Sequence, residues 1–198
     1  VVHHRSAVRM PEGIPPASAA LMGCGVLTGT GAVLNAARVE PGSTVAVIGC
    51  GGVGLNAVQG ARIAGAARII ALDTGAAKLD MARRFGATDV VLAGPDAVGE
   101  VLEMTRGGVD YAFEVVGSAA TAQGALGMIS FLMTEKKVIG TLMGSAPFQT
   151  FLPKLAAHYL NGNLLLDELV SQQIPLEAIN EGYAQMAEGK VARSVITF

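Results

Sequence analysis

The sequence predicts an α/β fold built on a doubly wound parallel sheet. Three observations carry that expectation: short β-branched apolar runs that do not alternate with polar residues, helical patterns spaced between them, and a glycine-rich turn directly after the first run. Runs of that kind are buried on both faces, which is the signature of parallel strands covered by crossover helices. The first strand is expected over Thr44–Gly49 (TVAVIG), the second over Arg68–Asp73 (RIIALD), the third over Asp89–Gly94 (DVVLAG) and the fourth over Val109–Gly117 (VDYAFEVVG). Helices are expected between them at Gly52–Ala64, Ala76–Phe85 and Asp96–Thr105. Upstream, Met10–Ala20 is Pro-rich and reads as extended, and Leu21–Arg38 reads as a helix with a Gly-rich start. Downstream of Gly117 a helix runs to about Met128, and EKKVIGTLMG offers one further strand. The tail from Phe151 to Phe198 holds two helical patterns (FLPKLAAHYLNG and PLEAINEGYAQMAEG) and a closing strand, RSVITF.

Composition bounds the function. Of 198 residues, 51% are apolar and 15% charged, so a sizeable core is expected and disorder is not. The 26 glycines, about twice the usual share, point to many tight turns and close backbone approaches. The net charge of −2 is scattered in both signs, which argues against nucleic acid and against a polybasic membrane surface. Two cysteines cannot build a disulfide framework and suit a reducing cytoplasm, and VVHHRSAVRM lacks the charged-then-apolar order of a signal peptide. The uncharged stretch Gly13–Ala37 is long enough to span a bilayer. Pro15, Pro16, its glycines and Asn35 make it read instead as turns and a packed helix.

GCGGVG places Gly49, Gly51 and Gly54 in the G-x-G-x-x-G spacing, directly after a strand and at the opening of a helix. Asp73 follows Gly54 by 19 residues and ends the next strand. Together these form the Rossmann fingerprint for a dinucleotide. Gly49 permits the tight turn, Gly51 lets the backbone approach a pyrophosphate, and Gly54 lets the helix pack closely on the sheet. The helix beginning at Gly52 contributes free N–H groups and a partial positive charge. A carboxylate at Asp73 accepts from both ribose hydroxyls and repels a 2′-phosphate, and residues 74–77 contain no Arg to welcome one, so the cofactor is expected to be NAD. Asp73 as the N-cap of the following helix is the competing structural reading.

The run GCGVLTGTGAV followed by VEPGSTVAVIGCGGVGLNAVQGARIAGAARIIALD resembles the zinc-dependent medium-chain alcohol dehydrogenases. The resemblance continues through FGATDVV, GGVDYAFEVVG and IPLEAINEGYAQMAEGKVARSVITF, and so covers essentially the whole chain. It implies a Rossmann-type coenzyme domain over residues 26–142, flanked at 1–25 and 143–198 by remnants of a GroES-like catalytic domain. By the same resemblance Cys24 matches a ligand of a catalytic zinc, and Thr28 a threonine against the nicotinamide. Val53, Asp73 and Lys78 match coenzyme contacts, Val116 a residue near the adenosine ribose, and Arg193 an arginine that meets the pyrophosphate. The implied reaction is hydride transfer between an alcohol carbon, or a thiol–aldehyde adduct, and NAD, with zinc as Lewis acid.

The sequence holds only part of that machinery. A catalytic zinc needs three protein ligands and an open position. Cys24 is the one match, because the family's remaining Cys and His ligands and its proton-relay hydroxyl belong to an N-terminal lobe that this sequence does not contain. No complete catalytic set is therefore expected in the chain, and since Val1 is not Met and starts mid-pattern, a longer parent is expected. His3 and His4, adjacent in an extended segment, should point to opposite faces and read as surface residues. His158 reads as structural, and Cys50 as a small packed thiol. Two other functions compete: a zinc-free quinone or enone reductase, disfavoured by Cys24 in GCG, and a stand-alone NAD-binding module.

Two expectations concern the far edge of the sheet. Lys137–Gly144 (KVIGTLMG) reads as its last strand, and an apolar edge strand needs a partner, so a homodimer or tetramer is expected to pair through it. The family pattern also places a fifth parallel strand, with a loop and short helix, between the helix ending near Met128 and that last strand. About 20 residues needed for it are missing near Ile129–Ser130. The chain is accordingly expected to be discontinuous between Gly127 and Leu132, with a Cα–Cα spacing far above the ~3.8 Å of a trans peptide.

Overall fold

The computed structural model describes residues 1–129, 136–188, 191 and 193–198. The chain forms two compact units, one of Thr28–Ala146 and one of Val1–Leu27 with Pro147–Phe198.

The first of these is the α/β unit. Strands β1 (Thr44–Ile48), β2 (Arg68–Asp73), β3 (Asp89–Leu92) and β4 (Tyr111–Glu114) form one parallel sheet in the order β3-β2-β1-β4. Val45, Ala46 and Val47 of central β1 are fully buried, which explains its unbroken apolar run. Helices α3 (Gly52–Ala64), α4 (Ala76–Arg84), α5 (Ala97–Met104) and α6 (Ala119–Gly127) alternate with the strands. α3 stops where Gly65 takes φ +82°, a left-handed C-cap that glycine adopts without steric cost. Ile48, Ile70, Leu72, Val91, Val101, Val109 and Met128 close one core, and Met128 C=O accepts from Val109 N–H at 3.0 Å, returning the chain to the start of β4. The chain winds from β1 through β2 to β3, then crosses to the other side of β1 for β4. The β1/β4 boundary is thus the topological switch point, where ligands of open α/β sheets bind. The four strands expected over Thr44–Gly117 and the helices expected between them are present, each within a few residues of its expected bounds.

The expected last strand at Lys137–Gly144 is not formed. Residues 136–140 have no regular structure, and Met143, Gly144 and Ser145 make a tight turn with φ of 49°, 68° and 48°. A strand forms only against another strand's free N–H and C=O groups, and among the described residues β4 ends the sheet with nothing paired beyond it. Val138 and Leu142 are consequently 76% and 85% exposed. The discontinuity expected between Gly127 and Leu132 falls largely on residues 130–135, outside those described.

Helix begins earlier than expected upstream. Pro16 opens α1 (Pro16–Leu21), where a proline costs nothing because first-turn N–H groups have no intrahelical partner. The helical path continues through a π turn at Met22–Val26, α2 (Leu27–Gly31) and a second π turn at Ala32–Ala37. By length and apolarity this path could cross a membrane, but 61% of its most apolar stretch is buried inside the protein. Glycines make that burial possible: a Cβ on Gly29 would clash with Val53 C=O, and one on Gly60 would lie 3.1 Å from Val33 Cβ.

The second unit contains α7 (Phe148–Leu160), α8 (Ile179–Ala187) and a two-stranded parallel sheet of β5 (Gln172–Pro175) and β6 (Ser194–Thr197). The closing strand was expected, but β5 was not. SQQIP lacks an apolar run and is a strand because β6 pairs with it. Buried Ser18 donates to Asp167, whose carboxylate also accepts from Tyr159 Oη at 2.9 Å. His3 and His4 are exposed, as expected, but do not face apart. His4–Ser6 is a 3₁₀ turn capped by His3, whose Nδ1 accepts from Arg5 N–H, and this curl stacks the two rings 4.3 Å apart. An extended segment would have alternated them; the local cap overrides that geometry.

Candidate dinucleotide site

The site is built where β1 ends. Gly49 follows Ile48, donates its N–H to Leu72 C=O at 2.8 Å and takes φ +99°. A side chain there would be excluded twice, because a Cβ would also fall 2.6 Å from Val116 Cγ2. Gly51 differs: its φ is an ordinary −76°, and a built Cβ meets nothing within 4 Å. The space above it is open. Gly51 is the N-cap of α3 and offers no side-chain cap, so the first N–H groups of the helix keep their capacity for an external acceptor. Gly54, one turn on, is fixed by packing, since a Cβ would overlap Gly49 C=O. Each glycine of the motif has a separate physical reason.

Asp73 closes the opposite side. It ends β2, is 8% exposed, and its Oδ2 accepts from Cys50 N–H at 2.8 Å while Oδ1 accepts from Gly75 N–H at 2.9 Å. Lys78 Nζ lies 3.7 Å from Oδ1. The N-cap of α4 is Gly75, so Asp73 is not the cap that the competing reading supposed. A carboxylate has about four acceptor sites, and those not used by the two backbone donors remain for a ligand. Between them, Cys50 is buried with Sγ 3.6 Å from Leu72 C=O, and burial, reinforced by the Asp73 charge, pushes its thiol up to about 12. It is a packed thiol, as expected.

The third wall is the turn after β4. Val116 is 56% exposed and leans on Gly49. Glu114, which sequence reasoning did not single out, accepts through Oε1 from Val116 N–H, Gly117 N–H and Thr121 Oγ1, each at 2.8 Å. Burial alone would raise its pKa, but these donors outweigh it and hold the carboxyl below its ordinary value. The one available signal was a lone acid at a strand end before V-V-G-S, which is too common to flag.

The fold therefore gathers Gly49, Gly51, Gly52, Val53, Gly54, Asp73, Lys78 and Val116 at the carboxyl ends of β1, β2 and β4. Thr28 lies half-buried in α2 of the same unit. Arg193 and Cys24 belong to the other unit, where the Arg193 guanidinium lies against Gly25, the residue after Cys24: a Cβ on Gly25 would fall 2.9 Å from Arg193 Nη2. Open space above Gly51, an uncapped helix start and a carboxylate with spare lone pairs fit a dinucleotide. Zinc fits less well. Cys24 is an exposed free thiol, and among the described residues no group of three His, Cys, Asp or Glu could hold a metal ion.

Sheet order, glycine loop and terminal acid together define a dinucleotide-binding α/β protein of the Rossmann type. Comparison narrows this. The zinc-binding dehydrogenase family profile matches residues 52–131. The chain is 41% identical to alcohol dehydrogenase class-3 of Myxine glutinosa, with 99% of the chain and 59% of that protein aligned. It is 39% identical to a probable S-(hydroxymethyl)glutathione dehydrogenase 1 of Schizosaccharomyces pombe, with 99% and 58% aligned. Its structure superposes on an alcohol dehydrogenase zinc-binding domain protein from Burkholderia ambifaria with a TM-score of 0.89 at 33% identity, over 97% of this chain and 58% of that one. These similarities support a place for the chain among the zinc-dependent medium-chain alcohol dehydrogenases. It spans about three fifths of the length of these curated relatives.

Proposed function

We propose that the chain is the coenzyme-binding part of an NAD-dependent zinc alcohol dehydrogenase, a cytoplasmic oxidoreductase acting on a small alcohol or a thiol–aldehyde adduct. The observation that carries the reading is the buried Asp73 carboxylate at the end of β2, facing a glycine loop whose helix start is uncapped. In this reading the N–H groups at Gly51, Gly52 and Val53 receive the pyrophosphate, with Gly49 and Gly54 shaping the turn. Asp73 accepts from the ribose hydroxyls, Lys78 lies beside it, and Val116 borders the ribose. Thr28 packs against the nicotinamide and Arg193 meets the pyrophosphate. A bound NAD would supply the hydride acceptor at this crevice, and Cys24 would be one ligand of a zinc ion supplying Lewis acidity.

Exposed apolar residues Val138, Ile139, Leu142 and Met143 support a subunit contact through that stretch, giving a homodimer or tetramer. The reading is tested by titrating the chain with NADH and NADPH and following nucleotide fluorescence. NADH is expected to bind at least about tenfold more tightly, the discrimination a 1.4 kcal/mol difference gives. Equal affinities would overturn the assignment of Asp73.

A further inference from the structure

Glu114 lies at the end of β4, directly across the switch point from the glycine loop that follows β1. Three donors converge on a single oxygen, Oε1: the N–H groups of Val116 and Gly117 and the hydroxyl of Thr121. Gly117 takes φ +87°, which L side chains rarely adopt, so the turn is bent tightly around that oxygen. Ser118 completes it by capping α6, its hydroxyl accepting from Thr121 N–H at 3.1 Å. The start of α6 is thus filled by the protein's own anion, whereas the start of α3, across the crevice, has no side-chain cap.

The result of this bend is the placement of Val116. Its Cγ2 occupies the space a side chain on Gly49 would need, while more than half of its surface stays exposed. Val115 Cγ2 lies against the same loop, 3.2 Å from where a Cβ on Gly54 would sit. The β4–α6 turn is therefore a wall of the glycine loop, and one carboxylate holds it.

We propose that Glu114 is a positioning residue for the coenzyme crevice: by accepting from Val116, Gly117 and Thr121 it fixes the turn that presses Val116 onto Gly49 and shapes the loop for the dinucleotide. The proposal rests on the coenzyme reading above. The effect of Glu114 on the crevice is transmitted through Val116.

The test uses Glu114→Gln, which keeps size and one acceptor oxygen, and Glu114→Ala, which removes both. Two readouts are taken on each folded variant: hydrogen exchange at the Val116 and Gly117 amides, and NADH affinity by titration. In Glu114→Ala the two amides should exchange faster while β1 and β2 keep their protection, and NADH affinity should fall about tenfold. Glu114→Gln should fall between wild type and Glu114→Ala on both readouts, and it carries the test should Glu114→Ala not fold. Faster exchange with unchanged NADH affinity overturns the proposal, as does unchanged exchange. A wild-type chain that does not bind NADH overturns the coenzyme reading and this inference with it. A wild type that binds beside variants that bind equally well overturns this inference alone.

Discussion

Asp73 Oδ2 accepts the backbone N–H of Cys50 at 2.8 Å, so the acid assigned to the ribose is also an anchor of the glycine loop. Its other oxygen holds Gly75 N–H at the start of α4. Asp73→Ala should therefore do two things at once. It leaves the buried Cys50 N–H without an acceptor, costing about 1–3 kcal/mol, and it removes the repulsion that excludes a 2′-phosphate. The melting temperature and the NADH-over-NADPH preference are expected to fall together. Asp73→Asn, which keeps an acceptor oxygen, should lose preference with a smaller thermal penalty. Thermal melts and paired titrations check this; a variant of unchanged stability would show that the loop does not depend on the carboxylate.

The glycines of the loop should separate by experiment. A Cβ on Gly54 overlaps Gly49 C=O, a backbone atom that cannot swing away, so Gly54→Ala is expected to cost at least about 3 kcal/mol. A Cβ on Gly51 meets nothing and its φ is ordinary, so Gly51→Ala should cost no more than about 1 kcal/mol. The same methyl would occupy the open space assigned to phosphate. Gly51→Ala is thus expected to fold normally and bind NADH weakly, whereas Gly54→Ala loses stability first. Urea unfolding and NADH titration separate the two, and normal NADH binding by Gly51→Ala would count against the phosphate assignment.

What was legible in the sequence follows from how local each cause is. The central strands were readable because Val45–Ile48 and Ile69–Leu72 are buried on both faces and the pattern needs no partner to be recognised. The glycine loop was readable because its spacing and the acid after it are fixed by short-range geometry. Glu114 was not, because its role arises from donors two, three and seven residues on that meet only once the turn is bent. β5 was missed for a similar reason: Gln172–Pro175 is a strand only because Ser194–Thr197 lies beside it. Lys137–Gly144 failed in the opposite sense, having strand-like residues but, among the described residues, no paired edge. Pairing is a tertiary fact that overrides propensity.

Cys50 gives the loop a pH signature. Its thiol is pushed from 9.0 to about 12, first by burial and then by Asp73, so the folded chain keeps a proton that the unfolded chain releases above pH 9. Where the unfolded state binds fewer protons, stability falls as pH rises. The contribution is therefore fully present below pH 9 and is lost between about 9 and 12. Denaturant titrations from pH 8 to 11 should show a declining midpoint, and Cys50→Ala should flatten that slope. At pH 8 exposed Cys24 should react with an alkylating agent while Cys50 does not until the chain unfolds. Equal labelling of both thiols in the native state would contradict the burial argument.

The last prediction concerns the stretch beyond β4. Val138, Ile139, Leu142 and Met143 are 76%, 53%, 85% and 45% exposed, a concentration of apolar side chains that soluble surfaces rarely leave in water. Met143 and Ser145 both hold positive φ, a conformation costing about 1–2 kcal/mol per non-glycine residue. An exposed apolar segment in a costly conformation favours association that buries it. The chain is expected to elute as a dimer or larger in size-exclusion chromatography at micromolar concentration. Two lysines introduced by Val138→Lys and Leu142→Lys should shift it to the monomer, because each would place a charge in the contact. The core of the sheet lies elsewhere, so the double variant should keep its melting temperature within a few degrees once monomeric. A wild-type chain that is monomeric at every concentration, or a double variant that still self-associates, would show that this stretch is not the contact.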